Sequence, residues 1–439
     1  MADMFHLGWF TNYLTPDWKG PWAGDAGRRW TNGDFYLDMA RTLDRVGFDF
    51  IMLEDSSFLS DAYAGSFEME MRHMVRAPKH DPMPLVPLLG HVTNGLGLIA
   101  TASTSLYPPY LLARTMTTLD HLTNGRAGWN IVTTAGSGAE QNYGFPTGTS
   151  HDELYERAEE FTTVVESLWD SWGPGALVND PDSGVYVDHT EISHVDHVGN
   201  HFSVRGPLNT LPSPQGRPVM LQAGGSPVGR RFAARHADAV VALPKGLEEM
   251  RAYREDITAR AEESGRDPGC VKVFYIVSPV IGETQAEAEE MQRRRMADTQ
   301  SRLEKRLLLM SSGGADFSKV PLDVPLDPDD PSMLPGAASQ SITHTFLKTH
   351  AGKTLRQAAS IDQTEAIELV GTADRVAALM EEAMTEAGGD GFLVYSGSGQ
   401  LTRRYLTEIT DGLVPVLQRR GLVRTDYSHP QLRDNLLAF

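Results

Sequence analysis

A chain of 439 residues, 41% hydrophobic and 22% charged, holds enough apolar material for a sizeable core, as two ordinary domains or one large barrel with insertions. With 39 basic residues against 58 acidic ones, a formal net charge of −19, it is a poor partner for nucleic acid or an anionic membrane surface. The single cysteine, Cys270, excludes an intramolecular disulfide and a thiolate metal cluster; with no signal-like leader and no apolar run near the ~20 residues that span a bilayer, a cytoplasmic protein is expected.

Strand-like and helix-like patterns alternate along the chain. Phe5–Phe10 reads as a first strand, Asp34–Val46 as an amphipathic helix ending at Gly47, and Phe50–Leu53 as the next strand. An irregular segment, 56–84, leads to a helix near Leu85–Thr93 and a strand at Leu96–Thr101. Apolar residues at helical spacing predict a helix over Leu111–Leu122, stopped by Leu-Thr-Asn-Gly, and the turn pair Asn124-Gly125 enters a short buried strand, Ala127–Val132. Leu154–Trp169 is strongly patterned as helix, whereas Gly173–Arg217, rich in Pro, Gly, Asp and His, breaks the alternation as a hairpin-like insertion. Pro218–Gln222, Ala239–Leu243 and Val271–Ile281 then read as strands, with helices Val228–His236 and Leu247–Ser264 between them. Ala286–Leu309 is expected as one long charged helix, Ser311–Pro335 as a loop, Thr345–Ala359 as helix, Phe392–Tyr395 as the last strand and Leu401–Arg420 as the closing helix. Roughly eight strand–helix units predict an α/β fold, a parallel sheet closed as a single (β/α)8 TIM barrel over residues 1–439.

Chemistry in such a barrel collects where the strands end. Asn130 lies in the Ala127–Val132 strand, which runs on into Thr133, Thr134 and the glycine-rich Ala135–Ala139. Asp55 ends the second strand in Phe50-Ile-Met-Leu-Glu-Asp55, where a carboxylate faces the barrel mouth, caps a helix or sits in a surface turn, and Thr101 ends the third similarly. Gln222-Ala-Gly-Gly-Ser-Pro-Val228 joins a strand to a helix. Its glycines admit a close ligand, Ser226 suits the cap and Pro227 the first helical position, so the helix start favours an anion such as phosphate; an ordinary capped turn has the same wording. His151 and Tyr155 lie four apart on one helix face, a spacing that also serves simple packing. His194, His197 and His201 have metal-like spacing, but Val195, Val198 and Gly199 argue for a strand or turn, and no metal site is expected. Cys270, directly before Val271–Val277, is expected to be a buried, inert thiol. Trp18, Trp22, Arg28, Arg29, His73, Lys79 and His80 fall in loops that either roof the barrel mouth or pack on the surface.

The wording of residues 118–134, Thr-Leu-Asp-His-Leu-Thr-Asn-Gly-Arg-Ala-Gly-Trp-Asn-Ile-Val-Thr-Thr, resembles the signature of the nitrilotriacetate monooxygenase component A / dibenzothiophene-sulfone monooxygenase family, FMN-dependent enzymes of the bacterial-luciferase-like type. The resemblance continues through Ala100–Arg114, Leu168–Trp172, His197–Asn209 and Pro214–Ser226. It implies a luciferase-type TIM barrel with insertions about 173–217 and 283–365. It also implies a two-component monooxygenase, in which a separate NAD(P)H:flavin reductase supplies reduced FMN (FMNH2). With O2, this oxygenates a small organic substrate at carbon next to N or S, leading to C–N or C–S cleavage. By the same resemblance Asp55, Thr101 and Asn130 line the flavin ring pocket, His151 and Tyr155 contact the phosphate and ribityl end, and Gly225 and Ser226 hold the phosphate. A homodimer or homotetramer is implied. Glu54, beside Asp55, departs from the small or apolar residue of relatives. No catalytic acid or base is assigned, and the sequence is silent on the substrate. Two rival readings stay open: deazaflavin-dependent hydride transfer, against which Arg126-Ala-Gly-Trp-Asn130 argues, and a flavin-binding protein without turnover.

Overall fold

In the computed structural model, which describes residues 4–20, 22–134, 138–145, 149–297, 299–311, 316–330, 333, 346–360, 365–396 and 401–439, eight parallel strands close into a barrel. They are β1 (His6–Asn12), β2 (Phe50–Glu54), β3 (Gly97–Ser103), β4 (Ala127–Val132), β5 (Val219–Gln222), β6 (Ala239–Ala242), β7 (Lys272–Val277) and β8 (Gly391–Tyr395). Each pairs with its neighbour in sequence, and β8 returns to β1. A helix follows each strand: α1 (Asp34–Arg45), α2 (Leu85–His91), α3 (Pro109–Leu122), α4 (His151–Trp169), α5 (Pro227–His236), α6 (Gly246–Glu263) and α7 (Ala373–Ala387). After β8 the chain runs through Arg403–Thr407, a π-helical turn at Glu408–Leu413 and Val414–Arg419.

The strands are apolar on both faces because both are covered. Phe50, Met52, Ile99, Leu221, Phe274 and Leu393 fill the barrel interior, while Ile51, Leu53, Leu98 and Val273 pack outward into the larger layer beneath the helices. Gly8 makes room for this filling, since a Cβ there would stand 2.7 Å from both Phe50 and Leu393. The short helix Leu432–Leu436 closes the N-terminal end, inserting Leu432 and Leu436 into the interior cluster. Beside it Asp49 pairs with His6 at 2.8 Å and accepts from Arg424 at 2.7 Å and from the Leu7 N–H at 2.8 Å. Burial opposes ionisation of Asp49, yet His6, Arg424 and that N–H hold its carboxyl below the usual carboxylate value.

Several expected elements divide or move. The strand expected over 271–281 ends at Val277 and resumes as Val280–Ile281, paired outside the barrel with Val370–Gly371; Pro279, lacking an N–H, interrupts the ladder. The long helix expected over 286–309 is two helices, Gln285–Met296 and Gln300–Ser311, and Thr299 Oγ starts the second by accepting the Arg302 N–H at 3.2 Å. Glu68–His73, α7 and Leu432–Leu436 form where no helix was expected. Residues 173–217 carry two small hairpins, Leu177–Asp180 with Val185–Val187 and His197–Val198 with Ser203–Val204. Cys270 is only partly buried, at the end of the 3-10 turn Pro268–Cys270. The expected loops 135–139 and 311–335 and the expected helix 345–359 lie partly outside the described residues. Among the described residues no helix is long and apolar enough to cross a membrane.

Candidate functional site

Alternation along β2, β3 and β4 carries the interior face up to Glu54, Thr101 and Asn130 at the C-terminal mouth. The Thr101 hydroxyl donates to the Leu53 carbonyl at 2.8 Å and accepts from Asn130 Nδ2 at 2.8 Å. This fixes the Asn130 amide and leaves its Oδ1 buried without a hydrogen-bond partner. An unpaired buried acceptor costs about 1–3 kcal/mol, which a ligand carrying a donor would offset.

Asp55 and Thr101 line a cavity of about 230 Å³ together with Glu54, Arg76, Tyr107 and Thr133. Burial pushes the Asp55 carboxyl up to about 6; Lys79 opposes the shift, and Glu54 and Asp81 add to it. Glu54 behaves in the opposite way. Lys79 Nζ donates to Glu54 Oε2 at 2.6 Å and to Ser56 Oγ at 2.9 Å, and the Asn12 amide donates to the same carboxylate oxygen. Against the effect of burial, Lys79, Arg76 and Asn12 hold the Glu54 carboxyl below its usual value. Glu54 therefore enters the mouth as half of an ion pair.

A second group forms where β5 meets α5. Ser226 Oγ accepts the Gly229 N–H at 3.1 Å and Pro227 opens the helix, as the turn chemistry requires. A Cβ on Gly225 would meet nothing within 4 Å, so this side of the turn is open. Gly229 is crowded: its Cβ position lies 2.8 Å from the Tyr155 hydroxyl and 3.1 Å from Ser226 Oγ. Gln222 Nε2 donates to that hydroxyl at 3.1 Å, while Gln222 Oε1 is buried without a partner. Burial raises the Tyr155 pKa, opposed by its hydrogen bonds to Gln222 and Thr133. His151, behind a Ser150–Glu153 capping box, is exposed with its ring 5.0 Å from that of Tyr155.

The seven expected site residues thus gather into two clusters, Asp55–Thr101–Asn130 and His151–Tyr155–Gly225–Ser226. Pairing of Asn130 with Leu221 and of Ile131 with Gln222 sets the clusters on adjacent strands, and Thr133 belongs to both. Of the loop candidates, Lys79 reaches the mouth. Trp22 stays exposed under the Arg404 guanidinium, His73 pairs with Glu304 at 2.6 Å, and His80 packs on Tyr13 and Trp30. His197 pairs with Glu160 at 3.0 Å, and the same carboxylate accepts the His201 and Phe202 N–H groups. Gln222, Thr133 and Tyr107 were not among the expected site residues. Two signals pointed that way: Thr133 follows the end of the Ala127–Val132 strand, and Gln222 is a polar residue ending the apolar run Val219–Gln222; Tyr107 had none.

The profile of the luciferase-like monooxygenase family matches residues 12–391. Dibenzothiophene-sulfone monooxygenase of Rhodococcus erythropolis (strain XP) is 37% identical over 99% of this chain and 96% of that protein. Nitrilotriacetate monooxygenase component A of Aminobacter aminovorans is 35% identical over 95% of this chain and 92% of that protein. Among solved structures, riboflavin lyase with modified FMN and its substrate riboflavin superposes with a TM-score of 0.87 at 28% identity, covering 100% of this chain and 96% of that one. Nearly full-length identity to enzymes of one kind, on a barrel of the same form, makes this chain a member of the luciferase-like monooxygenase family and a flavin-dependent monooxygenase.

Proposed function

We propose that the two clusters hold FMN, delivered as FMNH2 by a separate NAD(P)H:flavin reductase, and that the chain uses O2 to oxygenate a small organic substrate at carbon next to N or S. One observation carries this reading. Two buried amide oxygens without partners, Asn130 Oδ1 and Gln222 Oε1, sit on adjacent strands, one beside the Asp55 cavity and the other behind the Ser226 turn. A flavin offers donors for both, a ring N–H at one end and ribityl hydroxyls along its length, and ends in a phosphate suited to a helix start. Thr101 and Asn130 would hold the ring edge, Gln222, Thr133 and Tyr155 the ribityl chain, and Gly225, Ser226 and His151 the phosphate.

The bound cofactor supplies the electrons with which O2 oxygenates the substrate. The chain's own part is to bind, orient and exclude water. Tyr107 and the closed strand ends wall the cavity, and the Asp55 carboxyl, with a pKa of about 6, can hold or release a proton inside it near neutral pH. Relatives named for a sulfone and for nitrilotriacetate support oxidation beside sulfur or nitrogen. We read the whole chain as one barrel domain with inserted segments, working as a homodimer or homotetramer.

Ser226→Asp tests the phosphate end. Aspartate caps a helix as well as serine does, so thermal stability should hold, while its charge against the phosphate should weaken FMN by about tenfold or more and spare riboflavin. Equal FMN affinity in both proteins would put the phosphate elsewhere. Stopped-flow reoxidation of reduced FMN tests oxygen use: a time course unlike that of free flavin is expected, and one identical to free flavin, with tight deazaflavin binding, would point to hydride transfer instead.

A further inference from the structure

A second cavity, of about 550 Å³, lies between the ends of β7 and β8 and the inserted helices Gln285–Met296 and Gln300–Ser311. Its charge opposes that of the chain. Among the described residues, five basic side chains, Arg294, Arg295, Arg302, Lys305 and Arg306, line it with the two carboxylates Glu365 and Glu408, in a protein of formal net charge −19. Both carboxylates already face arginines: Glu365 takes Arg295, and Glu408 takes Arg404 at 2.6 Å from outside the lining. Arg294 turns outward to Glu290 at 2.7 Å. Lys305 is half-buried and makes no hydrogen bond or ion pair among the described residues. Burial and the neighbouring Lys19 ammonium lower its pKa, with Asp17 opposing. The Tyr405 hydroxyl, at the same cavity and on a side chain nine-tenths buried, has no hydrogen-bond partner.

Lys305 keeps an ammonium half-buried with no ion pair among the described residues, and the Tyr405 hydroxyl is a donor buried without an acceptor; an anion entering the cleft relieves both. We propose that this cavity is the substrate chamber and that it recognises an organic oxyanion, a carboxylate or sulfonate, with the Lys305 ammonium and the Tyr405 hydroxyl as donors. The assignment as substrate chamber rests on the flavin reading above. Tyr395 lines the chamber, and its ring lies tilted 5.2 Å from that of Phe10, both packed against the barrel-interior cluster, so the chamber adjoins the top of the barrel. Val75 lines this chamber and Arg76 the Asp55 cavity, so neighbouring residues face the two spaces.

Titration calorimetry decides the matter with paired probes: succinate, methanesulfonate and benzenesulfonate, each beside its neutral amide, on the FMN-loaded and the flavin-free protein. At least one anion is expected to bind roughly tenfold or more tighter than its amide, the range of a charge-assisted hydrogen bond. Lys305→Met should abolish that preference and Lys305→Arg keep it, while Tyr405→Phe should lower it about threefold. No preference across the panel, or a preference that survives Lys305→Met, overturns the proposal. If Lys305→Met weakens FMN but not riboflavin, the cavity holds the cofactor phosphate and the proposal fails. Failure of the wild-type protein to bind FMN would sink the flavin reading, and the flavin-free titration would still decide anion recognition.

Discussion

Asp49 and Asp55 bracket the same strand, β2, and their carboxyl groups move in opposite directions. At the floor, Asp49 is sealed from water but met by His6, Arg424 and the Leu7 N–H, and its pKa falls. At the mouth, Asp55 is partly buried with Lys79 already claimed by Glu54, and its pKa climbs to about 6. Burial acts against ionisation in both; the supply of partners decides the sign. The floor uses its polar groups to lock strand ends to the C-terminal helix. Among the described residues, the floor leaves unmatched only a spare nitrogen on each of His6 and Arg424, side chains already bonded through their other nitrogens. The mouth instead leaves the acceptors Asn130 Oδ1 and Gln222 Oε1 unmatched, near the Asp55 cavity and the open Gly225 turn.

The contrast can be broken most forcefully at the floor. Asp49→Ala leaves the Arg424 guanidinium buried without its carboxylate and is expected to remove about 3–5 kcal/mol of stability, read by urea unfolding. Because the Asp49 pKa is depressed on folding, its stabilisation is present above its unfolded value and fades as pH falls through the folded one. A change below about 1 kcal/mol would mean the lock is not a lock. Asp55→Asn should do the reverse. A carboxyl raised on folding loses stability as pH rises through about 6, so the variant should be more stable by about 1–3 kcal/mol near neutrality and no different below the ordinary value of 3.8. A gap that ignores pH would deny the titration. Asn130→Ala should weaken FMN by about 1–2 kcal/mol while Thr101 keeps its bond to Leu53. Tyr155→Phe keeps the ring against Phe232 and removes only the hydroxyl; a loss of about 1 kcal/mol in FMN binding is expected, and a larger loss in melting temperature than in affinity would make the residue a packing one.

Elements built on local pattern were legible. Ala127–Val132 is the strand its apolar run and entering Asn-Gly pair predict, and α4 extends its predicted helix only by the capped turn His151–Glu153. What escaped was set by single residues or distant partners. Thr299 divides one helical pattern into two, and Pro279 ends a strand that apolarity alone would continue. The helix Leu432–Leu436 is only five residues long and exists because a barrel floor awaits it. In the site, strand ends pointed to Asn130, Thr101 and Ser226. The Glu54–Lys79 pair was hidden because irregular chain and the helix Glu68–His73 separate its members. The same pair answers the oddity of Glu54, whose charge is matched within the mouth.

The boundary between the two cavities is itself held fast. Glu70 Oε1 accepts the Arg76 N–H at 2.6 Å and the Ala77 N–H at 3.2 Å, clamping the backbone that carries Val75 on one side and Arg76 on the other. A pinned backbone with side chains facing opposite rooms lets each room be remodelled alone. Changing the bulk of Val75 reshapes the basic chamber and leaves the wall of the Asp55 cavity standing, so substrate range can drift, in a lineage or at the bench, without disturbing the rest of the machine.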